Sequence, residues 1–134
     1  MTAAGLFQLR TRFTCCVLDE TRWPRYFTAP RTNDAREAIR AALHNERVAK
    51  IVMMHTGNGV DPLGRMLLED GVDVWLAPQQ LLDDIAQLLR RPRQQCGPRT
   101  RAAIFARMGS APTWLAMLNP LSTNRQSPAQ LPIF

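Results

Sequence analysis

The stretch VAKIVMMHTGNGVDPLGRMLLEDGVDVWL, residues 48–76, decides the fold. It contains two short apolar runs, at 49–54 and 72–76, which are typical of strands buried on both faces of a sheet. Between them, Asp61 and the proline after it form a helix start, which predicts a short helix over 62–70. Two strands joined by a helix make a crossover unit, so these strands are expected to be parallel.

The same alternation continues on both sides of this unit. An apolar, β-branched run predicts a strand at 12–18, and apolar residues at helical spacing predict helices at 35–46 and 78–91. The order is therefore β-α-β-α-β-α. This order predicts an α/β fold, with a small parallel sheet in which the three strands are neighbours and with helices packed on it.

The chain of 134 residues is long enough for one domain. We predict an α/β domain over residues 1–92 and a helical basic extension over 93–118, with one helix at 99–108. Residues 119–134 are polar, contain prolines and show no periodicity, which predicts a flexible tail.

Basic charge is concentrated near the carboxyl end of the chain. Residues 1–84 hold ten Lys/Arg and all eleven Asp/Glu, whereas residues 85–134 hold seven Arg and no acid, so the net charge of +6 arises there. Such an asymmetry predicts contact with phosphate or another anion, and the alternative is an ordinary solvated surface. The candidate residues are Arg90, Arg91, Arg93, Arg99, Arg101 and Arg107.

A glycine-containing turn follows the predicted strand at 49–54. Ligands of parallel sheets bind beyond the carboxyl ends of the strands, and two glycines allow backbone amides to approach an anion. This turn is the predicted ligand site, and the alternative is a plain strand-to-helix turn. Its residues are His55, Thr56, Gly57, Asn58 and Gly59.

The three cysteines predict neither a disulfide framework nor a metal centre. Cys15 and Cys16 are adjacent within an apolar strand and are expected in the core, whereas Cys96 lies in a basic stretch that favours a reactive thiol. No pattern predicts a cofactor. The chain has no apolar run long enough for a transmembrane helix and no secretory signal, so we expect a cytoplasmic protein without membrane contact.

The middle of the chain, about residues 35–82, resembles the DsrE/DsrF-like group of small sulfur-relay proteins. The resemblance is carried by the strand and glycine turn of 48–60 and by LLEDGVDVWL at 67–76. In that group a sulfur-carrying cysteine follows the second strand, but Ala77 stands there in this chain. The resemblance therefore implies an accessory member without sulfur transfer, forming a homo-oligomer or binding a protein partner.

These observations predict a small cytoplasmic DsrE-like binding or accessory protein. The alternative is a nucleic-acid-associated protein that uses the arginine-rich segment 90–107. A third hypothesis is an enzyme that uses His55 with an anion in the glycine turn, so the sequence leaves open whether the protein is an enzyme.

Overall fold

The computed structural model of the protein describes residues 2–19, 23–55, 59–78, 80–81, 97–111, 113, 116 and 118–121. The strands of the described part are β1 (Thr2–Gln8), β2 (Arg12–Leu18), β3 (Arg25–Pro30), β4 (Val48–His55), β5 (Asp73–Pro78) and β6 (Asn119–Pro120). The helices are α1 (Asn33–Asn45), α2 (Pro62–Glu69) and α3 (Pro98–Ser110).

The strands form one six-stranded sheet in the order β3-β2-β1-β4-β5-β6. Strands β1, β4 and β5 are parallel to one another, whereas β2, β3 and β6 each pair antiparallel with their neighbours. The first strand of the chain thus lies in the middle of a mixed sheet. The carboxyl ends of β1, β4 and β5 share one edge of it.

The predicted α/β class, with helices packed on a sheet, is confirmed. So are the strands at 49–54 and 72–76 and their parallel pairing, which extends from Lys50↔Asp73 to His55↔Pro78. The helices predicted at 35–46, 62–70 and 99–108 correspond to α1, α2 and α3.

The predicted position of strand 12–18 is wrong in one respect. The strand exists as β2, but it pairs with β1 and β3, both antiparallel, and is not a neighbour of β4. The reason is a tight connection after β1, closed by a hydrogen bond of 2.8 Å from the Leu9 N–H to the Arg12 carbonyl. Such a short connection joins antiparallel strands, since a parallel pair needs a crossover.

The helix predicted at 78–91 is outside the described residues over most of its length, and Pro78 is the last residue of β5. The tail predicted at 119–134 begins with β6, and residues 122–134 lie outside the described part. The predicted division of the chain at residue 92 stays a prediction.

Each face of the sheet has its own hydrophobic core. On one face, α1 and α2 contribute Ile39, Leu43, Leu63 and Leu67 to a cluster with alternate residues of the strands. On the other face, α3 contributes Ala102, Phe105, Ala106 and Met108. We call these the α1–α2 face and the α3 face.

Candidate nucleic-acid interface

Helix α3 lies across β1 and runs antiparallel to it. Gly5 of β1 makes this packing possible, since a Cβ atom there would lie 2.0 Å from the Ala102 carbonyl oxygen and 2.4 Å from the Ala106 nitrogen. At the other end of the helix, Gly109 lies opposite Ala3. The first turns of α3 are therefore held at the sheet edge where β1, β4 and β5 end.

Two arginines of α3 stack on aromatic rings that project from the sheet. The guanidinium carbon of Arg99 lies 4.5 Å from the centre of the Tyr26 ring, and that of Arg101 lies 5.3 Å from the centre of the Phe7 ring. Both distances are within the range of cation–π attraction. Arg107 is exposed in the last turn of the helix. We call Arg99, Arg101 and Arg107, with the rings of Tyr26 and Phe7, the arginine face.

The positive charge of the arginine face acts on the ionisation of the Tyr26 hydroxyl. Burial raises the pKa of Tyr26, as does its hydrogen-bonded neighbour Cys16, while Arg99 and Arg107 act in the opposite direction. Burial likewise raises the pKa of Cys16, against the hydrogen bond with Tyr26 and the charges of Arg107 and Arg25. Tyr26 and Cys16 are therefore neutral near pH 7, and the net charge of this cluster is positive.

The predicted core location of Cys15 and Cys16 is confirmed, since the two residues are 0% and 1% exposed. Burial raises the pKa of the Cys15 thiol further, well above its ordinary range. A neutral, buried thiol packs as a small apolar side chain. Cys96 lies outside the described residues.

Arginines of the α1–α2 face are bound to carboxylates. The side chain of Asp61 is fully buried and accepts hydrogen bonds from Arg31, at 2.7 Å, and from Arg36, at 2.9 and 3.0 Å. It also accepts a bond of 2.9 Å from the Leu63 N–H and so caps α2. Burial raises the pKa of Asp61, but the bonds from Arg36, Leu63 and Arg31 outweigh it and hold that pKa below its ordinary value.

Two further ion pairs lie on the same face. Arg25 bonds to Glu46, which follows α1, and Arg40 bonds to both carboxylate oxygens of Asp70 at 2.5 and 2.6 Å. By contrast, α3 carries three arginines and no acidic residue in its sequence PRTRAAIFARMGS. The two faces of the sheet thus use arginine in different ways.

The predicted glycine turn is only partly described. His55 is the exposed last residue of β4, and Gly59 has a φ of 97°, the left-handed conformation that glycine adopts without strain. Thr56, Gly57 and Asn58 lie outside the described residues. The turn is therefore at the expected sheet edge, and its ligand role stays a prediction.

The predicted anion-contact arginines are likewise only partly described. Arg99, Arg101 and Arg107 lie on α3, whereas Arg90, Arg91 and Arg93 are outside the part of the chain that the structure describes. The aromatic partners Phe7 and Tyr26 were not predicted as site residues. The aromatic and β-branched residues of RYFTAP, residues 25–30, are the sequence signal that would have placed Tyr26 on a strand.

Within the described residues, no group of three or more His, Cys, Asp or Glu side chains is placed to hold a metal ion. None of the helices in that part is long and apolar enough to cross a membrane.

The fold is similar to that of two solved RuvC structures. The structure of Thermus thermophilus RuvC in complex with a Holliday junction substrate is similar to this chain, with a TM-score of 0.59 and 14% identity over 90% of this chain and 99% of RuvC. A second T. thermophilus RuvC structure gives a TM-score of 0.58 and 14% identity, over 90% and 100% of the two chains. No family model and no curated protein sequence matches the chain.

These matches correct the expected DsrE-like function. The expectation of a DsrE-like accessory protein is wrong, because the structural neighbours are RuvC structures, one of them in complex with a Holliday junction substrate. The strand-turn-helix-strand pattern that suggested it is common to parallel α/β units and does not specify the strands on either side. The local resemblance of residues 35–82 is not itself tested by the two matches.

Proposed function

We propose that this protein binds nucleic acid, with the arginine face of α3 contacting the phosphate backbone. The observation that carries the proposal is that Arg99, over the Tyr26 ring, and Arg107 are exposed on a helix without acidic residues. The N–H groups of a guanidinium match the oxygens of a phosphate in a bidentate manner.

The arrangement favours contact with phosphates over recognition of bases. Arg101 and Arg107 are six residues apart on a helix, which places them roughly 120° from each other around its axis. Base recognition needs side chains directed together into a groove, whereas phosphate contacts tolerate charge spread over a surface. We therefore expect binding with little sequence preference.

The structural likeness supports nucleic acid as the ligand class. One matched RuvC structure holds a Holliday junction substrate, and this chain covers 99% of that RuvC chain. The basic segment adds to the support, since residues 85–134 hold seven arginines and no acid. We include Arg90, Arg91 and Arg93 in the proposed contact surface. A cytoplasmic location and a homo-oligomeric state stay predictions.

The test is fluorescence anisotropy with labelled DNA in the form of a four-way junction, a duplex and a single strand. Affinity is measured from about 50 mM to about 200 mM salt, where phosphate-dependent binding weakens steeply. The variant Arg99→Gln/Arg107→Gln removes two exposed charges from α3. The matched control, Arg47→Gln/Arg65→Gln, removes two exposed charges elsewhere, after α1 and on α2.

The α3 variant is expected to lose roughly tenfold or more in affinity at low salt, and the slope of log K against log salt should fall by about one for each arginine that contacts phosphate. The control variant should bind as the unchanged protein does. Equal losses in the two variants would mean that binding depends on total charge and not on an interface on α3. The absence of binding to every DNA at about 50 mM salt would refute the proposal.

A further inference from the structure

Helices α1 and α2 end in the same backbone geometry but with different residues. Each is followed by a C-cap residue of helical conformation, Glu46 or Asp70, and then by a residue with a positive φ. After α2 this residue is Gly71, with a φ of 88°, whereas after α1 it is Arg47, with a φ of 57°. Glycine is the usual residue here, because a Cβ atom destabilises the left-handed conformation. Arg47 therefore occupies its position at a cost in stability.

The side chain of Arg47 lines a cavity between the ends of the two helices. The cavity has a volume of about 220 Å³ and lies on the α1–α2 face, where β4 and β5 begin. Part of its wall is apolar and consists of Val48, Leu67 and Val72. Its ionisable lining residues are Arg40, His44, Arg47 and Asp70. An apolar wall beside cationic side chains suits a small organic anion.

The positive charge of the cavity is only partly neutralised. Arg40 bonds to both carboxylate oxygens of Asp70, at 2.5 and 2.6 Å, so this pair carries no net charge. These bonds lower the pKa of Asp70, with a smaller contribution from the charge of His44. Glu37 lies 3.5 Å from Arg40, but in an adjoining groove. Arg47 is exposed and makes no side-chain hydrogen bond or ion pair within the described residues, so its N–H groups are open to a ligand.

Capping bonds reduce the negative charge of the two helix ends. The carboxyl end of a helix is partly negative because its last carbonyls lack partners. Here the N–H groups of Glu46 and Arg47 bond to carbonyls of α1, and those of residues 70–72 bond to carbonyls of α2. An anion in the cavity therefore meets fewer open carbonyls than it would at uncapped helix ends.

We propose that this cavity binds a small organic anion, a phosphate or carboxylate group with an apolar substituent. The guanidinium of Arg47 holds the anionic group through two hydrogen bonds, and a ring N–H of His44 adds a third. The substituent packs on the apolar wall of Val48, Leu67 and Val72. This contact accounts for an arginine where the backbone favours glycine, since strained residues persist where their side chains serve a ligand. The site lies on the opposite face of the sheet from α3, so the inference does not rest on the proposed nucleic-acid function.

The test follows binding by amide NMR shifts of the ¹⁵N-labelled full chain. The probes are phenyl phosphate, benzoate and the neutral analogue benzyl alcohol. Arg47→Gly removes the side chain and gives the α1 end the residue that ends α2. Its matched control is Arg65→Gln, which removes an exposed charge from α2 outside the cavity. Urea unfolding of both variants is measured in parallel.

At least one of the two anions should shift the signals of residues 44–48 and 70–72, and the stronger of them identifies the anionic group. Benzyl alcohol should bind roughly tenfold more weakly or less, and Arg47→Gly should lose roughly tenfold or more in affinity, as for a hydrogen bond to a charged group. Arg65→Gln should bind the anions as the unchanged protein does.

The urea midpoint of Arg47→Gly should stay equal or rise, because relief of the left-handed conformation offsets the freedom of glycine in the unfolded chain. A fall in that midpoint would show that the side chain supports the fold, and retained affinity would show that it does not hold the anion. Either result overturns the inference, as does the absence of shifts with both anions at about 10 mM.

Discussion

The two faces of the sheet hold arginines in contrasting electrostatic surroundings. On the α1–α2 face, Arg31 and Arg36 bind the buried carboxylate of Asp61, and Arg40 binds Asp70. Contact with an aromatic ring is common to both faces, since Arg31 and Arg36 lie over Phe13 while Arg99 and Arg101 lie over Tyr26 and Phe7. The difference is the carboxylate: α3 carries no acidic residue, so its exposed arginines Arg99 and Arg107 have no acid on their own helix to neutralise them.

The comparison teaches that net charge alone does not identify an interface. The described arginines outnumber the described acidic residues on both the strands and the helices. Some of these arginines are nevertheless paired with carboxylates, and these contribute to folding. Those exposed on a helix without acidic residues, Arg99 and Arg107, are the candidates for contact with a ligand. If this distinction is correct, substitutions on the α1–α2 face should change stability and substitutions on the α3 face should change binding, except where the α3 backbone itself is displaced.

The exception gives the largest expected effect. Gly5→Val would place a Cβ atom 2.0 Å from the Ala102 carbonyl oxygen, so α3 has to move away from β1. We expect a loss of about 3 kcal/mol or more in the free energy of unfolding, measured with urea. The control is Gly109→Ala, whose Cβ would meet side-chain atoms alone, of Val52 at 3.2 Å and of Ala3 at 3.8 Å. A similar loss in both variants would show that close backbone packing is not what holds α3.

Asp61→Asn should have the next largest effect. Asparagine can still cap α2, so the variant removes chiefly the charge that binds Arg31 and Arg36. We expect a loss of about 2 to 3 kcal/mol near pH 7, somewhat below the usual cost of breaking a buried pair because both arginines retain contact with water. Urea unfolding measures it. Asp70→Asn, in an exposed pair, should cost clearly less, and the reverse order would contradict the assignment of Asp61 as the central ion pair.

The same carboxylate predicts how stability depends on pH. Because the pKa of Asp61 is lowered in the folded protein, its contribution is present above the unfolded value, near 4, and is lost as the pH falls through the lower folded value. The difference in stability between the unchanged protein and Asp61→Asn should therefore shrink below about pH 4. Unfolding curves at a series of acidic pH values provide the measurement. A difference that grows with acidity would have the wrong sign.

The smallest effect is expected at Tyr26. Tyr26→Leu removes the ring under Arg99, so the guanidinium loses its stacking partner, and DNA affinity should fall about two- to fivefold. Tyr26→Phe keeps the ring but not the hydrogen bond with Cys16, and it should bind as the unchanged protein does. Anisotropy titrations at low salt measure both. A loss in Tyr26→Phe equal to that in Tyr26→Leu would mean that the hydroxyl, and not the ring, supports binding.

Much of the fold was predictable from sequence because its signals are local. The crossover unit β4-α2-β5 has a helix cap at Asp61 and two apolar strands, and all three elements are observed. The strand β1 was missed because Ala3, Ala4 and Gly5 are small residues of low strand propensity. Small residues are needed in this strand because α3, which comes much later in the sequence, packs directly on it.

The candidate site was predictable in its charges and not in its geometry. The absence of acidic residues after residue 84 is visible in the sequence, and it indicated Arg99, Arg101 and Arg107. Their aromatic partners Phe7 and Tyr26 belong to strands far away in the sequence. No spacing rule connects such residues, because the pairing depends on how α3 crosses the sheet.

The central position of β1 also bears on synthesis of the protein. This strand is translated before its neighbour β4 and well before its covering helix α3. Contacts between residues so distant in sequence form slowly, because a long loop has to close before they can stabilise anything. The amino-terminal hairpin of β1 and β2 therefore has to wait with its apolar residues uncovered. Apolar surface exposed in this way promotes aggregation until α3 emerges to cover it.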